Sequence, residues 1–273
     1  MGYGAHVESG PLGCRNIVIG NPGTADYVIS AHYDTCGLLP GLNGVIPCSI
    51  LGLILFSFLR ILILLLIPCL FACIFLCFHH LWVEISAFSG ALILTGGLLI
   101  FFRINPFSTE NDSSGLITLL EIAAGLQKIH RSKVCFLLFD GKEAGFSGSR
   151  SYVKAHGEAM KTQISVNLDS VGRGDRIFIF PGNGLKTDAS AMANLYSLCG
   201  YYGKKQITLL KKGFYPSDYL NFPKGAGICA GANKSRCLFL RTSGGRKNRD
   251  MDETNVNLLR AAILSMVSCG AVK

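Results

Sequence analysis

Residues 136–148 read FLLFDGKEAGFSG, and this stretch predicts the fold of the chain. An apolar run of strand length ends at Asp140-Gly141, a pair typical of turns, and Glu143 follows where the next helical segment begins. In an open α/β sheet, ligands bind beyond the carboxyl ends of the strands. A carboxylate at this place therefore indicates a ligand site at one edge of a sheet.

The polar parts of the chain alternate between strand and helix patterns. Four stretches have the short apolar pattern of a strand: 15–19, 27–31, 133–139 and 163–168. Four others have apolar residues at helical spacing: 111–129, 145–160, 189–200 and 252–268. This alternation predicts an α/β fold, a three-layer αβα sandwich with a mostly parallel mixed sheet.

A long apolar block interrupts this pattern. Residues 45–78 carry one charge, Arg60, and residues 85–102 carry none. One membrane crossing needs roughly 20 apolar residues, so the block has room for two. We expect an inserted transmembrane helical hairpin at 45–104, which divides one α/β domain into 1–44 and 105–273.

Charge and cysteine usage predict the surroundings of the protein. The loop at 79–84 contains no Lys or Arg, whereas the basic residues lie beyond the block, so the positive-inside rule predicts an integral membrane protein with a cytoplasmic globular part. The net charge of +9 is spread out, which argues against nucleic acid and favours either a lipid bilayer surface or a solvated face. Eleven cysteines without a CxxC pair favour reduced thiols.

Four side chains at predicted strand ends or helix starts form a candidate metal site. They are one imidazole and three carboxylates, a typical ligand set for zinc: His32, Asp112, Glu143 and Asp169. Asp34 stands two residues after His32, so in extended backbone it points the same way and would orient the ring. Taken singly, His32 also fits a buried strand end bonded to an acid, and Asp112 fits a helix N-cap.

Five segments of the chain resemble one zinc metallopeptidase family. They are AHYDT (31–35), NDSSGLITLLEIA (111–123), FLLFDGKEAGFSGSRSYV (136–153), NLDSVG (167–172) and, more weakly, SDYLNF (217–222). The family includes bacterial leucyl aminopeptidase, aminopeptidase Y and glutamate carboxypeptidase II (peptidase family M28). The resemblance implies hydrolysis at the amino end of a peptide substrate by a metal-activated water. It implies two zinc ions bridged by Asp112, with His32 and Asp169 on the first and Glu143 on the second.

Two positions depart from the family pattern. Lys142 stands where the family has its general base, and Arg249 stands where the family has a late histidine ligand. Both changes put a cation beside the second ion, and like charges repel. We therefore expect the site to bind one zinc ion, with Lys142 and Arg249 paired with Glu143. Binding of two zinc ions is the alternative.

These departures leave two functions open. The chain is either a peptidase with an impaired site or a catalytically silent scaffold that binds a peptide or protein. Three acidic residues near the chain end are candidate replacements for the missing ligand: Asp250, Asp252 and Glu253. The sequence does not indicate an oligomeric state.

Overall fold

The structure is a computed structural model of the whole chain. It describes residues 3–10, 13–34, 45–47, 112–142, 145–200, 206–231, 239–241 and 251–269, together with scattered residues between 49 and 96.

Eight strands of the described residues form one mixed sheet. Their bounds are Ala5–Ser9 (β1), Arg15–Ile19 (β2), Tyr27–His32 (β3), Val134–Phe139 (β5), Ile164–Leu168 (β6), Arg176–Pro181 (β7), Gln206–Leu209 (β8) and Gly225–Gly231 (β9). The spatial order is β1-β2-β5-β3-β6-β9-β7-β8. Four of the seven neighbouring pairs are parallel, which agrees with the predicted mixed sheet.

The centre of the sheet places the two best-described site residues next to each other. β3 runs parallel to both β5 and β6, and Ala31 pairs with Leu168. His32 is the last residue of β3, and Asp169 directly follows β6. Because neighbouring parallel strands end at the same edge, the two side chains meet there.

Helices cover both faces of the sheet. Their bounds are Asp112–Gly125 (α1), Ser147–Met160 (α2), Asn183–Lys186 (α3), Ala189–Cys199 (α4) and Glu253–Cys269 (α5). Alternate residues of β3 point to opposite faces: Ile29 joins a core cluster with residues of α1, α4 and α5, whereas Val28 joins a cluster with Tyr152 of α2. The predicted α/β fold with helices on both faces is confirmed.

A close approach between α1 and the sheet places the start of that helix. A Cβ on Gly115 would collide with the carbonyl oxygen of Leu168, so only glycine allows this contact. The first turn of α1, which begins at Asp112, therefore packs against the end of β6. This packing brings the backbone of Asp112 to the edge of the sheet where His32 and Asp169 meet.

The prediction of an integral membrane protein is wrong. A crossing needs a long, uninterrupted apolar helix, and within the residues that the structure describes no helix is both long and apolar enough. The prediction of a cytoplasmic globular part depended on the two membrane spans and has no support without them. Most of 45–104 lies outside the described residues, and the domain division there stays a prediction. Val45–Pro47 forms β4, antiparallel to Phe239–Arg241 (β10).

Candidate metal centre

His32 lies buried at the end of β3 with its two ring nitrogens in different surroundings. Nδ1 lies 3.0 Å from the carbonyl oxygen of Asp34 and 3.3 Å from its Oδ1. Because a carbonyl oxygen only accepts, we assign the ring hydrogen to Nδ1. Nε2 is then left with its lone pair, and it lies 3.4 Å from Oδ1 of Asp169.

Asp169 is a fully buried carboxylate that is held by several donors. Ser217 Oγ donates to Oδ2 at 2.6 Å, and Ser170 Oγ donates to Oδ1 at 3.2 Å. Ser170 has a φ of 54°, the left-handed region that non-glycine residues rarely adopt. The backbone after β6 is therefore held in a sparsely populated conformation next to the carboxylate.

Lys142 reaches the same place from the turn after β5. Its Nζ lies 2.7 Å from Oδ2 of Asp169 and 3.0 Å from Nε2 of His32. The turn contains three residues with positive φ, Gly141 (71°), Gly145 (76°) and Phe146 (60°), and backbone hydrogen bonds from 145 and 146 return to the carbonyl oxygen of Lys142. This compact turn points the lysine side chain into the sheet edge.

The charges at the centre shift the pKa values of the groups in opposite directions. Burial alone would raise the pKa of Asp169, but the Lys142 charge beside it holds that pKa well below its usual range. For His32, burial and the Lys142 charge lower the pKa, while hydrogen bonds with Asp169 and Asp34 raise it, to about 9.

A protonated His32, however, could not accept a hydrogen bond from Nζ, and the two nitrogens lie 3.0 Å apart. The contact geometry and the Asp34 carbonyl both favour a neutral ring that accepts from Lys142. The Lys142 ammonium therefore donates to a neutral His32 ring at this contact, and its charge opposes protonation of that ring.

A polar chain extends from the centre into the core of the sheet, and sequence reasoning missed it. Asn167 of β6 donates from Nδ2 to Ser217 Oγ at 2.7 Å, and Ser30 of β3 donates to Asn167 Oδ1 at 2.9 Å. Ser30 and Asn167 pair across the two strands, so these polar residues are cross-strand neighbours inside an otherwise apolar sheet. Ser30 and Asn167 each interrupt an apolar predicted strand, and these two polar residues were the sequence signal for the chain of hydrogen bonds.

A second buried carboxyl group lies close by. Asp218 Oδ1 accepts a 2.6 Å hydrogen bond from Ser149 Oγ of α2, while its Oδ2 has no hydrogen-bond partner among the described residues. Burial raises the pKa of Asp218, against the opposing effect of the Ser149 hydrogen bond. Asp218 belongs to the weakly matching segment 217–222, and the structure puts that segment beside the centre.

The remaining predicted site residues are less completely described. Asp112 begins α1, but its side chain lies outside the described residues, as do Glu143, Arg249 and Asp250. The expected pairing of Lys142 with Glu143 therefore falls outside them too. Asp252 accepts from the backbone N–H of Thr254 at the start of α5. No group of three or more His, Cys, Asp or Glu that could hold a metal occurs in the described part of the chain.

The two described donors fit a zinc ion in chemistry and spacing. Two ligand atoms at about 2.1 Å from a tetrahedral zinc lie roughly 3.4 Å apart. His32 Nε2 and Asp169 Oδ1 are 3.4 Å apart. The hydrogen on Nδ1 leaves Nε2 free to bind a cation, and Asp169 is charged. Lys142 does not fit a zinc site, because its ammonium contacts both donors.

The described residues form an α/β protein with two candidate metal donors, His32 and Asp169, at the carboxyl edge of its sheet. The sequence profile of peptidase family M28 matches residues 110–236. The resemblance to that family is confirmed over these residues. Zinc is the metal that the family and its zinc-dependent structural neighbours indicate. No curated protein matches the chain in sequence.

Solved structures share the fold at low sequence identity. A zinc aminopeptidase from Bacillus subtilis is 16% identical with a TM-score of 0.51, over 92% of this chain and 50% of that one. A Zn-dependent exopeptidase from Parabacteroides distasonis is 14% identical with a TM-score of 0.53, over 97% and 82%. A glutaminyl cyclase from Porphyromonas gingivalis is 14% identical with a TM-score of 0.52, over 97% and 82%.

These likenesses show the fold and do not decide the reaction. The neighbours carry two different activities in their names, peptidase and glutaminyl cyclase, so one fold serves more than one chemistry. The chain also spans only 61% of Legionella LapA and 50% of the Bacillus subtilis enzyme, the first structures it matches.

Proposed function

We propose that this chain is a zinc-peptidase-like protein that takes the amino end of a peptide at the carboxyl edge of its sheet, and that its hydrolysis of the first peptide bond is impaired by Lys142. The observation that carries the proposal is the meeting of buried His32 and Asp169 in a sequence of peptidase family M28. Peptides are the substrates that the family suggests.

We assign separate roles to the residues that orient and bind the metal ion. Asp34 holds the hydrogen of His32 on Nδ1 and so directs Nε2 towards the metal position. Asp169 is kept charged by its donors and is the second described ligand. Asp112 and Glu143 complete the ligand set by their match to the family motif. A bound zinc ion supplies an activated water and polarises the peptide carbonyl.

Lys142 is the reason to expect slow turnover. A general base must accept a proton from the attacking water, and an ammonium group has no lone pair for it. The Lys142 side chain is 13% exposed and its Nζ contacts a carboxylate, which favours the charged form of the amine. Loss of a general base costs roughly a hundredfold to ten-thousandfold in rate.

Hydrolysis of a panel of fluorogenic aminoacyl amides, with zinc added, tests the proposal. We expect slow turnover by the natural chain and turnover at least a hundredfold faster in Lys142→Glu, which restores a carboxylate at that position. Asp112→Asn should abolish both. If Lys142→Glu folds and yet gains no activity on any amide, impairment by Lys142 is wrong.

A second candidate function is a silent scaffold that binds a peptide or protein partner. The contact of Lys142 with both described donors favours it, since the same side chain removes the base and competes with the metal. Calorimetric titration with short peptides separates the two. A scaffold binds peptides with a free amino end without turnover in either the natural chain or Lys142→Glu, whereas an impaired peptidase hydrolyses them.

A further inference from the structure

We propose that the Lys142 ammonium is an internal cation that takes the place of a divalent metal ion on His32 and Asp169, so that zinc binds these two donors only by displacing it. The proposal rests on the proposed function only for the identity of the site. It concerns which cation the site holds, and not which reaction follows.

The geometry of Lys142 supports this replacement. A metal ion bound to His32 and Asp169 would lie within about 2.2 Å of a donor atom of each. Nζ lies 3.0 Å from Nε2 and 2.7 Å from Oδ2, the ordinary lengths for an ammonium that donates to the same groups. An ammonium at these distances and a metal ion cannot share the space, since both require the lone pair of Nε2.

The charge balance of the site also needs a resident cation. Asp169 is completely buried, and its carboxylate already accepts hydrogen bonds from Ser217 and Ser170, which are neutral donors. A buried carboxylate is costly unless a positive charge lies beside it. Lys142 supplies that charge from within the chain. In its absence, a divalent ion would serve the same purpose.

The backbone near Lys142 directs its side chain inwards. The carbonyl oxygen of Lys142 accepts hydrogen bonds from the N–H groups of Gly145 and Phe146, and the N–H of Ser147 bonds to the carbonyl of Gly141. These bonds close a tight turn at the carboxyl end of β5. Displacement of the ammonium therefore needs rotation of the lysine side chain, and the turn itself can stay in place.

Zinc titration of the chelator-treated full chain tests the proposal, with calorimetry and thermal unfolding as readouts. Lys142→Met removes the ammonium and keeps an apolar stem of similar length. Lys161→Met is the matched control, since Lys161 is exposed and pairs with exposed Glu158. His32→Ala, made both in the natural chain and on the Lys142→Met background, identifies binding at this site. Lys142→Gln serves in place of Lys142→Met if the latter does not fold.

We expect Lys142→Met to bind one zinc at least a hundredfold more tightly than the natural chain, and to lose that gain with His32→Ala. Lys142→Met should melt at a lower temperature without zinc and recover with it, while the natural chain and Lys161→Met show no such recovery. Equal zinc affinity, within threefold, in the natural chain and Lys142→Met, with both losing binding on His32→Ala, would overturn the proposal.

The outcomes separate this inference from the proposed function. A gain in zinc affinity without amide turnover by any variant supports the internal cation and removes the peptidase. Turnover by the natural chain together with unchanged zinc affinity in Lys142→Met keeps the peptidase and removes the internal cation.

Discussion

Nζ of Lys142 lies 2.7 Å from Oδ2 of Asp169, in a site where the Asp169 side chain is fully buried and the Lys142 side chain is 13% exposed. Because both charges are largely removed from water, each depends on the other for compensation. Truncation of one partner of a buried ion pair leaves the other charge without compensation, which is more damaging than replacing both partners.

Asp169→Asn should destabilise the protein by about 3–5 kcal/mol. The amide is nearly the same size, so the loss comes from the Lys142 charge that is left without its carboxylate. Urea unfolding monitored by circular dichroism measures it. The matched control is Glu158→Gln, which removes the exposed partner of Lys161 and should change stability by less than about 0.5 kcal/mol. An Asp169→Asn loss as small as the control would contradict the buried ion pair.

Acid should destabilise the protein through Asp169. Its pKa is held well below the usual range, whereas in the unfolded chain it is about 3.9. The folded state then binds fewer protons, so the contribution of Asp169 is fully present above about pH 4 and is lost as pH falls through the folded pKa. The free energy of unfolding between pH 2 and 6 checks this sign. Asp169→Asn should show a shallower decline over the same range.

Ser217→Ala should destabilise the protein by removing a hydrogen bond to the buried Asp169 carboxylate. The hydroxyl donates to Asp169 and accepts from Asn167, so its removal leaves a buried amide hydrogen without an acceptor. The expected loss is about 1–3 kcal/mol. Ser268→Ala is the control, because that exposed hydroxyl bonds only the helix carbonyl of Leu264 in the contacts described, and should change stability by less than about 0.5 kcal/mol.

For Ser217→Ala, the pKa of Asp169 provides a second readout. Removal of a hydrogen bond to the charged form raises the carboxyl pKa. The acid decline in stability should therefore end at a higher pH, and be smaller, in Ser217→Ala than in the natural chain. A parallel pH profile with only a uniform offset would show that the hydroxyl acts on packing and not on the charge.

The sequence predicted the positions of His32 and Asp169 because parallel strands end at one edge of a sheet. Each strand pattern was clear, and the residue after its last apolar position is the candidate ligand. The contact of Lys142 with these two side chains was not predictable in the same way. It depends on the turn from Gly141 to Phe146, with three positive φ values, and spacing along the sequence does not specify where a long flexible side chain points.

The central strand β9 was also missed, for a different reason. Its sequence, GAGICAG, is rich in glycine and contains a single β-branched residue and no aromatic one, too few to indicate a strand. Glycine disfavours strands in isolation, because it loses more backbone entropy and packs no side chain. In the fold, β9 lies between β6 and β7 with every residue buried, so tertiary packing outweighs the local preference. β6, in contrast, has the apolar residues of a strand followed by Asp169, so its local sequence alone predicts it.

Gly227→Ala tests whether β9 needs its glycines for close packing. A Cβ at Gly227 would lie 2.6 Å from the ring of Tyr219, which is buried in a core cluster with Phe180 and Tyr215. The ring is held on several sides, so we expect a loss of about 1–3 kcal/mol from overpacking. Thermal and urea unfolding measure this loss.

The matched control for Gly227→Ala is Gly157→Ala in α2. A Cβ at Gly157 meets nothing within 4 Å, and alanine favours the helix, so this variant should be stabilised by about 0.5–1 kcal/mol. The same chemical change should therefore have opposite signs at the two positions. If Gly227→Ala were as stable as the natural chain, Tyr219 would have room to move. The close approach of β9 to Tyr219 would then not require glycine at position 227.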